Sequence, residues 1–424
     1  MADTIFALSS GRPPAGIGVI RISGPLAGDA LLAIAGSLPE ERTAVLRTLR
    51  SQNGAPLDQA LVLWFSGPNT ATGEALAELH CHGGAAILAA VTAELASYSG
   101  LREALPGEFT RRAFENGRID LAEAEALGDL LTAETELQRL VAQGNFGGAL
   151  SGKVEEWRSE LIRLSAQLEA LMDFADEDDV AVDTDQIAEA TLLLAASLSE
   201  TLDTPSTERL RDGVRVVLAG PPNAGKSSLF NALLEDSAAL VSHISGTTRD
   251  VIERPIAIDG VPVTLVDTAG VHEHSNDEIE RMGIDLSRRE FSRADIVLWL
   301  GEEGEGPADA WEIEAMSDIR TARKRHADHV VSAVTSFGIS ELKAAIAKKA
   351  RSVLPKPGAT SLNKRQRHHI GEARALLSTA STEREPLLIA ENLRRARVEF
   401  DAVTGRTSTE DMLDNLFSGF CIGK

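Results

Sequence analysis

Cysteine is almost absent from this sequence: Cys81 and Cys421 are the only two in 424 residues. Two thiols cannot build the disulfide framework of a small secreted domain, so a reducing, cytoplasmic setting is expected. Long apolar runs are missing too. None approaches the ~18 uncharged residues of a bilayer-spanning helix, so no membrane role is expected. The opening MADTIFALSSGRPP has no basic stretch ahead of an apolar core, which argues against a secretory leader. Positive charge is also scarce: 42 Lys and Arg stand against 64 Asp and Glu, a formal net charge of −22. Such a surface repels bare phosphate at long range, so any nucleic-acid contact needs a local basic patch. Cys421 stands where a prenylation box would place its cysteine, but Gly423 and Lys424 do not fit that box.

Apolar residues at 43% and charged ones at 25% can build sizeable cores, and the length suggests about two or three domains. Residues 1–118 alternate strand-like runs, such as Ile17–Ile22 and Ala60–Phe65, with a helical Ala85–Ala96, a mixed α/β pattern. From 119 to 210 the chain reads as helical. A helix is expected over Asp120–Thr135, followed by a longer one whose Val154, Trp157, Leu161, Leu164, Leu168 and Leu171 form one apolar stripe. The acidic run Asp173–Asp179 reads as a solvated charge run before a metal cage. Residues 211–352 return to a strand–helix rhythm, with strands at Arg215–Ala219, Val263–Val266, Asp295–Leu300 and Val330–Ala333, as in a parallel sheet. From 353 to 424 helix resumes, with Ile389, Leu393, Ala396, Phe400 and Val403 on one face. The expected fold class is therefore multidomain α/β plus α, with an α/β domain inserted into a split helical one.

Within the inserted segment, Gly220-Pro221-Pro222-Asn223-Ala224-Gly225-Lys226-Ser227 matches G-x-x-x-x-G-K-[ST] between an expected strand and an expected helix. In such a loop glycines let backbone N–H groups wrap phosphates. Lys226 neutralises the β and γ oxygens, Ser227 ligates Mg²⁺, and the helix start adds its positive end. Asp267-Thr268-Ala269-Gly270 follows at a strand end, placing Asp267 to reach the Mg²⁺ through water and Gly270 to meet the γ-phosphate. Between them Gly246-Thr247-Thr248-Arg249-Asp250 offers Thr248 to complete the Mg²⁺ shell. In this order and spacing the set reads as a Ras-like GTPase.

The base-reading element is altered. GTPases usually carry Asn/Thr-Lys-x-Asp, whereas Ala315-Met316-Ser317-Asp318 keeps the Asp alone. Ser332-Ala333-Val334-Thr335 fits the last base loop, so guanine preference is expected with loosened affinity. Val271 replaces the Gln that orients water in Ras-like proteins, so the catalytic group must come from elsewhere, with Glu278 and Glu280 nearby in the chain. Asn223 is placed to hold a monovalent cation, whose charge would do the work of an arginine finger.

These motifs, read with Gly73-Glu74-Ala75-Leu76-Ala77-Glu78-Leu79-His80-Cys81-His82-Gly83-Gly84, the stretch Pro106–Leu121 (PGEFTRRAFENGRIDL) and the terminal Phe420-Cys421-Ile422-Gly423-Lys424, resemble the MnmE (TrmE) family almost end to end. That family acts as the GTPase of tRNA wobble-uridine modification. The resemblance implies a tetrahydrofolate-binding, dimer-forming domain at 1–118, in which Arg21, Glu78, Arg118 and Lys424 contact a 5-formyl- or 5,10-methylene-tetrahydrofolate. Position 118 is Arg where the family has Lys, which keeps the charge and changes its geometry. The resemblance implies Glu280 as catalyst beside Lys226, and a K⁺ site from Asn223, Ser242, Ile244 and Thr247. It also implies GTP contacts from Ala224, Gly225 and Ser228 in the phosphate loop and from Ser242, His243, Ile244, Ser245, Gly246, Thr247 and Thr248 in the following loop. Thr268, Ala269, Gly270, Asp318, Ser332 and Ala333 complete that set.

The implied partners are a second copy of the chain, an MnmG (GidA)-type flavoprotein and tRNA. The basic run Lys364–His369 offers one candidate for tRNA phosphate and reads equally as a solvated helix face. His80-Cys81-His82 is a poor zinc site, because Cys81 points away from its neighbours on a strand. Two rival readings are a ribosome-assembly GTPase and a folate-binding scaffold with a weakened G domain. The N-terminal and C-terminal signatures disfavour the first, and intact Lys226, Ser227, Thr248 and Asp267 disfavour the second.

Overall fold

The computed structural model describes residues 3–173, 184–235, 238–239, 252–267, 290–319, 324–407 and 409–423. By contacts the chain divides into two compact units, Met1–Gly128 with Thr404–Lys424, and Asp129–Val403.

In the first unit, alternation of apolar and polar residues builds a six-stranded sheet. Its strands are β1 (Thr4–Leu8), β2 (Ile17–Ser23), β3 (Val45–Arg50), β4 (Pro56–Phe65), β5 (Leu76–His82) and β6 (Leu101–Glu103), in the order β3-β4-β5-β2-β1-β6. On β2, Ile20 and Ile22 are fully buried while Arg21 between them faces the other side, as the two-residue strand period requires. Two helices cover the apolar face, α1 (Ala27–Ala35) and α2 (Ala85–Ala96). Leu31, Ile34, Leu88, Val91 and Leu95 pack there with Phe6, Val62, Leu79 and Cys81. The span of α2 is the one the Ala/Leu-rich sequence predicts.

After α3 (Glu108–Glu115) and α4 (Leu121–Thr132), the chain end returns to this unit as α13 (Glu410–Ser418), which sets Leu413 and Phe417 against Leu121 and Ala124. Gly107 shows why that end fits. Its φ is +68°, and a Cβ there would lie 2.3 Å from the Phe417 carbonyl oxygen, so a side chain is excluded.

In the second unit, α5 (Glu136–Phe146), α6 (Ala149–Asp173), α7 (Thr184–Leu202) and α8 (Thr207–Asp212) precede the second sheet, and α11 (Lys364–Ala380) and α12 (Pro386–Thr404) follow it. Helices from the two sides pack on each other: the Trp157 and Phe400 rings lie 6.0 Å apart, and Arg158 donates to Asp401 at 2.9 Å. The α/β segment is thus inserted into a helical bundle. Of the two expected apolar stripes, all named positions are buried except the half-buried Leu171.

The expected helix Asp120–Thr135 divides instead. It ends at Thr132, and Thr135 becomes the N-cap of α5 in a reciprocal capping box with Gln138, a local alternative to helix that Thr readily takes. The acidic run beyond Asp173 lies outside the described residues.

The inserted sheet runs β13 (His329–Val330), β12 (Trp311–Glu314), β11 (Ile296–Trp299), β7 (Val214–Ala219), β10 (Val261–Asp267), β9 (Ile252–Ile258), β8 (Ala238–Ala239). The five from β13 to β10 are parallel, and β9 and β8 are antiparallel. Two helices belong to it, α9 (Lys226–Glu235) and α10 (Ile339–Val353). β7 lies at the centre, with Val216, Val217 and Leu218 fully buried, so the loop at its end is held by a rigid core.

A phosphate-binding loop and a paired Arg–Glu site

β7 delivers the chain into the phosphate loop, and α9 takes it up at Lys226. Gly220 holds φ +145°, and a Cβ there would meet the Gly301 backbone nitrogen at 3.0 Å. Asn223 is exposed and held in the left-handed region at φ +61°, an uncommon setting for a residue other than glycine.

Lys226 is 5% exposed, and its ammonium donates to the Gly220 carbonyl at 2.8 Å and the Pro221 carbonyl at 2.9 Å. Burial pushes its pKa down against the opposing pull of Asp267. Asp267 ends β10 in register with Leu218 of β7 and accepts the Ser227 hydroxyl at 3.1 Å. A buried cation on carbonyls and a hydroxyl–carboxylate pair thus face a helix start, an arrangement suited to a polyphosphate with Mg²⁺. Ser228 is exposed on the first turn of α9, and Ala224 in the loop is buried.

A second loop pair follows β12 and β13. The Ser332 hydroxyl, fully buried, donates to Asp318 at 2.7 Å and accepts from the Thr335 backbone N–H at 3.2 Å. Asp318 itself is exposed, and Ala333 is half-buried. The sequence alone did not assign the Ser332 hydroxyl to Asp318. Its one signal was that both residues stand just past the ends of neighbouring parallel strands. Of the other expected nucleotide residues, Ser242, His243, Ile244, Ser245, Gly246, Thr247, Thr248, Thr268, Ala269, Gly270 and Glu280 lie outside the described residues.

In the first unit Arg21 and Glu78 stand opposite each other on β2 and β5, and Arg21 donates to Glu78 at 2.9 Å. His80 contacts the other Glu78 oxygen at 3.1 Å, and the Arg21 guanidinium lies 5.9 Å from the centre of the Phe109 ring. Sequence reasoning gave roles to neither His80 nor Phe109 here. Arg118 is exposed past α3 and makes no ion pair among the described residues, while Lys424 lies outside them.

Cys81 sits in the core on the opposite face from His80, its thiol pushed up to about 12 by burial and the Asp58 charge. His82 pairs with Asp58 at 2.7 Å. The long motif stretches brace one another: Arg112 bonds Asp3 at 2.7 Å, Glu74 at 3.1 Å and Glu108 at 3.1 Å, and Asn116 donates to the Thr72 carbonyl at 2.8 Å.

A central parallel sheet feeding a G-x-x-x-x-G-K-S loop, with a strand-end aspartate on the loop's serine, defines a P-loop nucleotide hydrolase. Residues 4–118 match the family model described as the GTP-binding protein TrmE N-terminus, and residues 121–421 match the MnmE helical domain. The tRNA modification GTPase MnmE of Erythrobacter litoralis is 57% identical over 427 residues, covering 100% of both chains. That of Novosphingobium aromaticivorans is 56% identical with the same coverage, and that of Zymomonas mobilis 48% identical over 99% of this chain and 100% of its own.

The chain belongs to the MnmE family of tRNA modification GTPases. It is a GTP-hydrolysing enzyme, and its class uses Mg²⁺ with GTP. Among solved structures, the G domain of the T. maritima FeoB iron transporter aligns with 32% of this chain and 98% of its own at 24% identity and a TM-score of 0.25. An overlap of that size adds nothing to the fold described above. No helix among the described residues is long and apolar enough to cross a membrane.

Proposed function

We propose that this chain is a K⁺-dependent GTP hydrolase that works as a cytoplasmic homodimer with an MnmG (GidA)-type flavoprotein. Together they would install an aminomethyl-type group at C5 of the tRNA wobble uridine. The observation that carries the hydrolase reading is the Lys226–Ser227–Asp267 geometry at the end of the central strands.

Phosphate oxygens would replace the Gly220 and Pro221 carbonyls as partners of the Lys226 ammonium, restoring a full countercharge to a buried cation. Ser227 and Thr248 hold Mg²⁺, with Asp267 fixing the serine. Asn223, exposed at the loop's left-handed corner, holds K⁺ with Ser242, Ile244 and Thr247. With Val271 in the usual glutamine's place, Glu280 orients the attacking water.

In this reading residues 1–118 form the folate and dimerisation domain, 119–210 and 353–424 the two parts of the helical domain, and 211–352 the G domain. The donor chemistry in the first domain fits a tetrahydrofolate. Glu78, held anionic by Arg21 and His80, is an acceptor for pterin N–H groups, and Arg118 and Lys424 suit a glutamate tail. When bound, the folate supplies the one-carbon unit.

The test is nucleoside mass spectrometry of tRNA incubated with both proteins, GTP, methylene-tetrahydrofolate and an amine donor. The wobble uridine should gain the group in the complete mixture only, and Glu78→Ala should abolish the gain while GTP hydrolysis persists. A gain without folate, or an undiminished one in Glu78→Ala, would contradict the folate assignment.

A further inference from the structure

A cavity of about 400 Å³ opens at the end of the inserted sheet opposite the phosphate loop, and GTP hydrolysis gives it no role. Strands β7, β11, β12 and β13 are parallel, so the phosphate loop and Ser332 follow their C-terminal ends. Trp311 and His329 are the first residues of β12 and β13, and stand at the other end. Both are half-buried, and their rings lie 5.5 Å apart at a tilt of 40°. Trp311 also packs against the core of the sheet, which fixes this aromatic wall in place.

Helix α10 supplies the facing wall. Ala345, Lys348, Lys349 and Ser352 fall at i, i+3, i+4 and i+7, one helix face, while Leu342, Ile346 and Ala350 turn into the core. Lys348 and Lys349 are exposed and make no ion pair among the described residues. The helix carries four basic residues against the single acid Glu341, a local reversal in a chain of net charge −22. Asp328 lines the cavity too. It accepts the Glu312 N–H at 2.7 Å, and its carboxylate keeps lone pairs for a further donor.

An aromatic face stacks any base, ammonium groups take its phosphate, and a carboxylate accepts a base amino or imino N–H. A bare polyanion would meet the Asp328 charge, and an apolar ligand would leave both lysines without a partner. A base inside a duplex has its faces covered, so the base that enters must be unpaired. The basic run Lys364–His369 does not compete for this part, because Arg365 and Arg367 are held by backbone carbonyls.

We propose that this cavity holds an unpaired nucleotide of the RNA substrate, its base on Trp311 and His329 and its phosphate on Lys348 and Lys349. The inference rests on the reading that this enzyme engages tRNA directly.

The test is fluorescence anisotropy of labelled tRNA on the full-length protein with GDP bound, repeated over a range of KCl concentrations. The double variant Lys348→Ala, Lys349→Ala should weaken binding at least about fivefold and reduce the slope of log affinity against log salt by about 1 to 2. Trp311→Leu should weaken it about tenfold with the slope kept, and Trp311→Phe, which retains an aromatic face, should stay within about threefold of the parent. GTP hydrolysis without tRNA should be the same in all of them, which separates a lost contact from a lost fold. Parent-like tRNA binding in the double variant and in Trp311→Leu overturns the site, and a loss in Trp311→Leu that Trp311→Phe does not rescue overturns stacking. A parent protein that binds no tRNA overturns the underlying reading as well. In a second arm UMP and AMP are titrated: saturable binding lost in the double variant, with tRNA binding unchanged, assigns the cavity to a free nucleotide and overturns the RNA source.

Discussion

At Glu78 burial and charge pull in opposite directions. Burial pushes the carboxyl up, yet hydrogen bonds and charge from His80 and Arg21 outweigh it and leave the group below the usual 4.5. A depressed folded pKa contributes stability that is present above the unfolded glutamate value and is lost as pH falls through the folded one. We expect the parent to lose more unfolding free energy than Glu78→Gln as pH falls below the ordinary glutamate range. Urea unfolding at each pH checks this, and parallel pH profiles would contradict it. The residues most legible in the sequence were those whose spacing is their function, Lys226, Ser227 and Asp267. The partners Ser332, His80 and Phe109 were not, because they reach their sites through strand register and side-chain packing, which leave no fixed interval in the chain.

Among the elements, α11 settles what most of the basic run Lys364–His369 does. Arg365 donates to the carbonyls of Ala402 and Val403 at 2.7 and 3.0 Å, and Arg367 to those of Leu202 and Thr204. Each caps a helix end where carbonyls lack partners and the dipole favours a cation. His369 is taken by Glu399 at 2.7 Å, which leaves Lys364 and His368 exposed. The charge run is thus largely internal bracing.

Arg367→Met should lower stability by about 2 kcal/mol, because carbonyls at the end of α7 lose a charged donor. The GTP hydrolysis rate at a permissive temperature should stay unchanged. Chemical denaturation with a parallel rate assay checks both, and a stability change within about 0.5 kcal/mol would contradict the bracing role. Strands were harder to read than helices. β12 is four residues, Trp-Glu-Ile-Glu, in an acidic surround, and β9 carries Pro255. Pro255 pairs with Thr264 of β10 and, having no N–H, weakens the strand signal of its own segment. The last expected strand, Val330–Ala333, shortens to His329–Val330 because Val331 and Ser332 already serve the base loop.

On the scale of the whole molecule, the alternation of α/β, α, α/β and α segments was readable from composition and period. The return of the chain end to the first unit was not, and only the family resemblance, which sets Lys424 with Arg21 and Glu78, implied it. It depends on contacts such as Gly423 against Leu8, where a Cβ would sit 2.2 Å from the carbonyl oxygen. That return brings the Cys421 carbonyl to accept from the Gly107 N–H at 3.3 Å, so the terminal signature and the Pro106–Leu121 signature are one structural feature.

The account's central claim is that hydrolysis at the phosphate loop depends on a monovalent cation at Asn223 and on Glu280. Its most direct measurement is the initial rate of GTP hydrolysis in KCl against NaCl at equal ionic strength. The account predicts a rate at least tenfold higher in KCl, about 1.4 kcal/mol of barrier, lost in Asn223→Ala and in Glu280→Ala. Equal rates in the two salts, or a K⁺-stimulated rate that survives both substitutions, would contradict it.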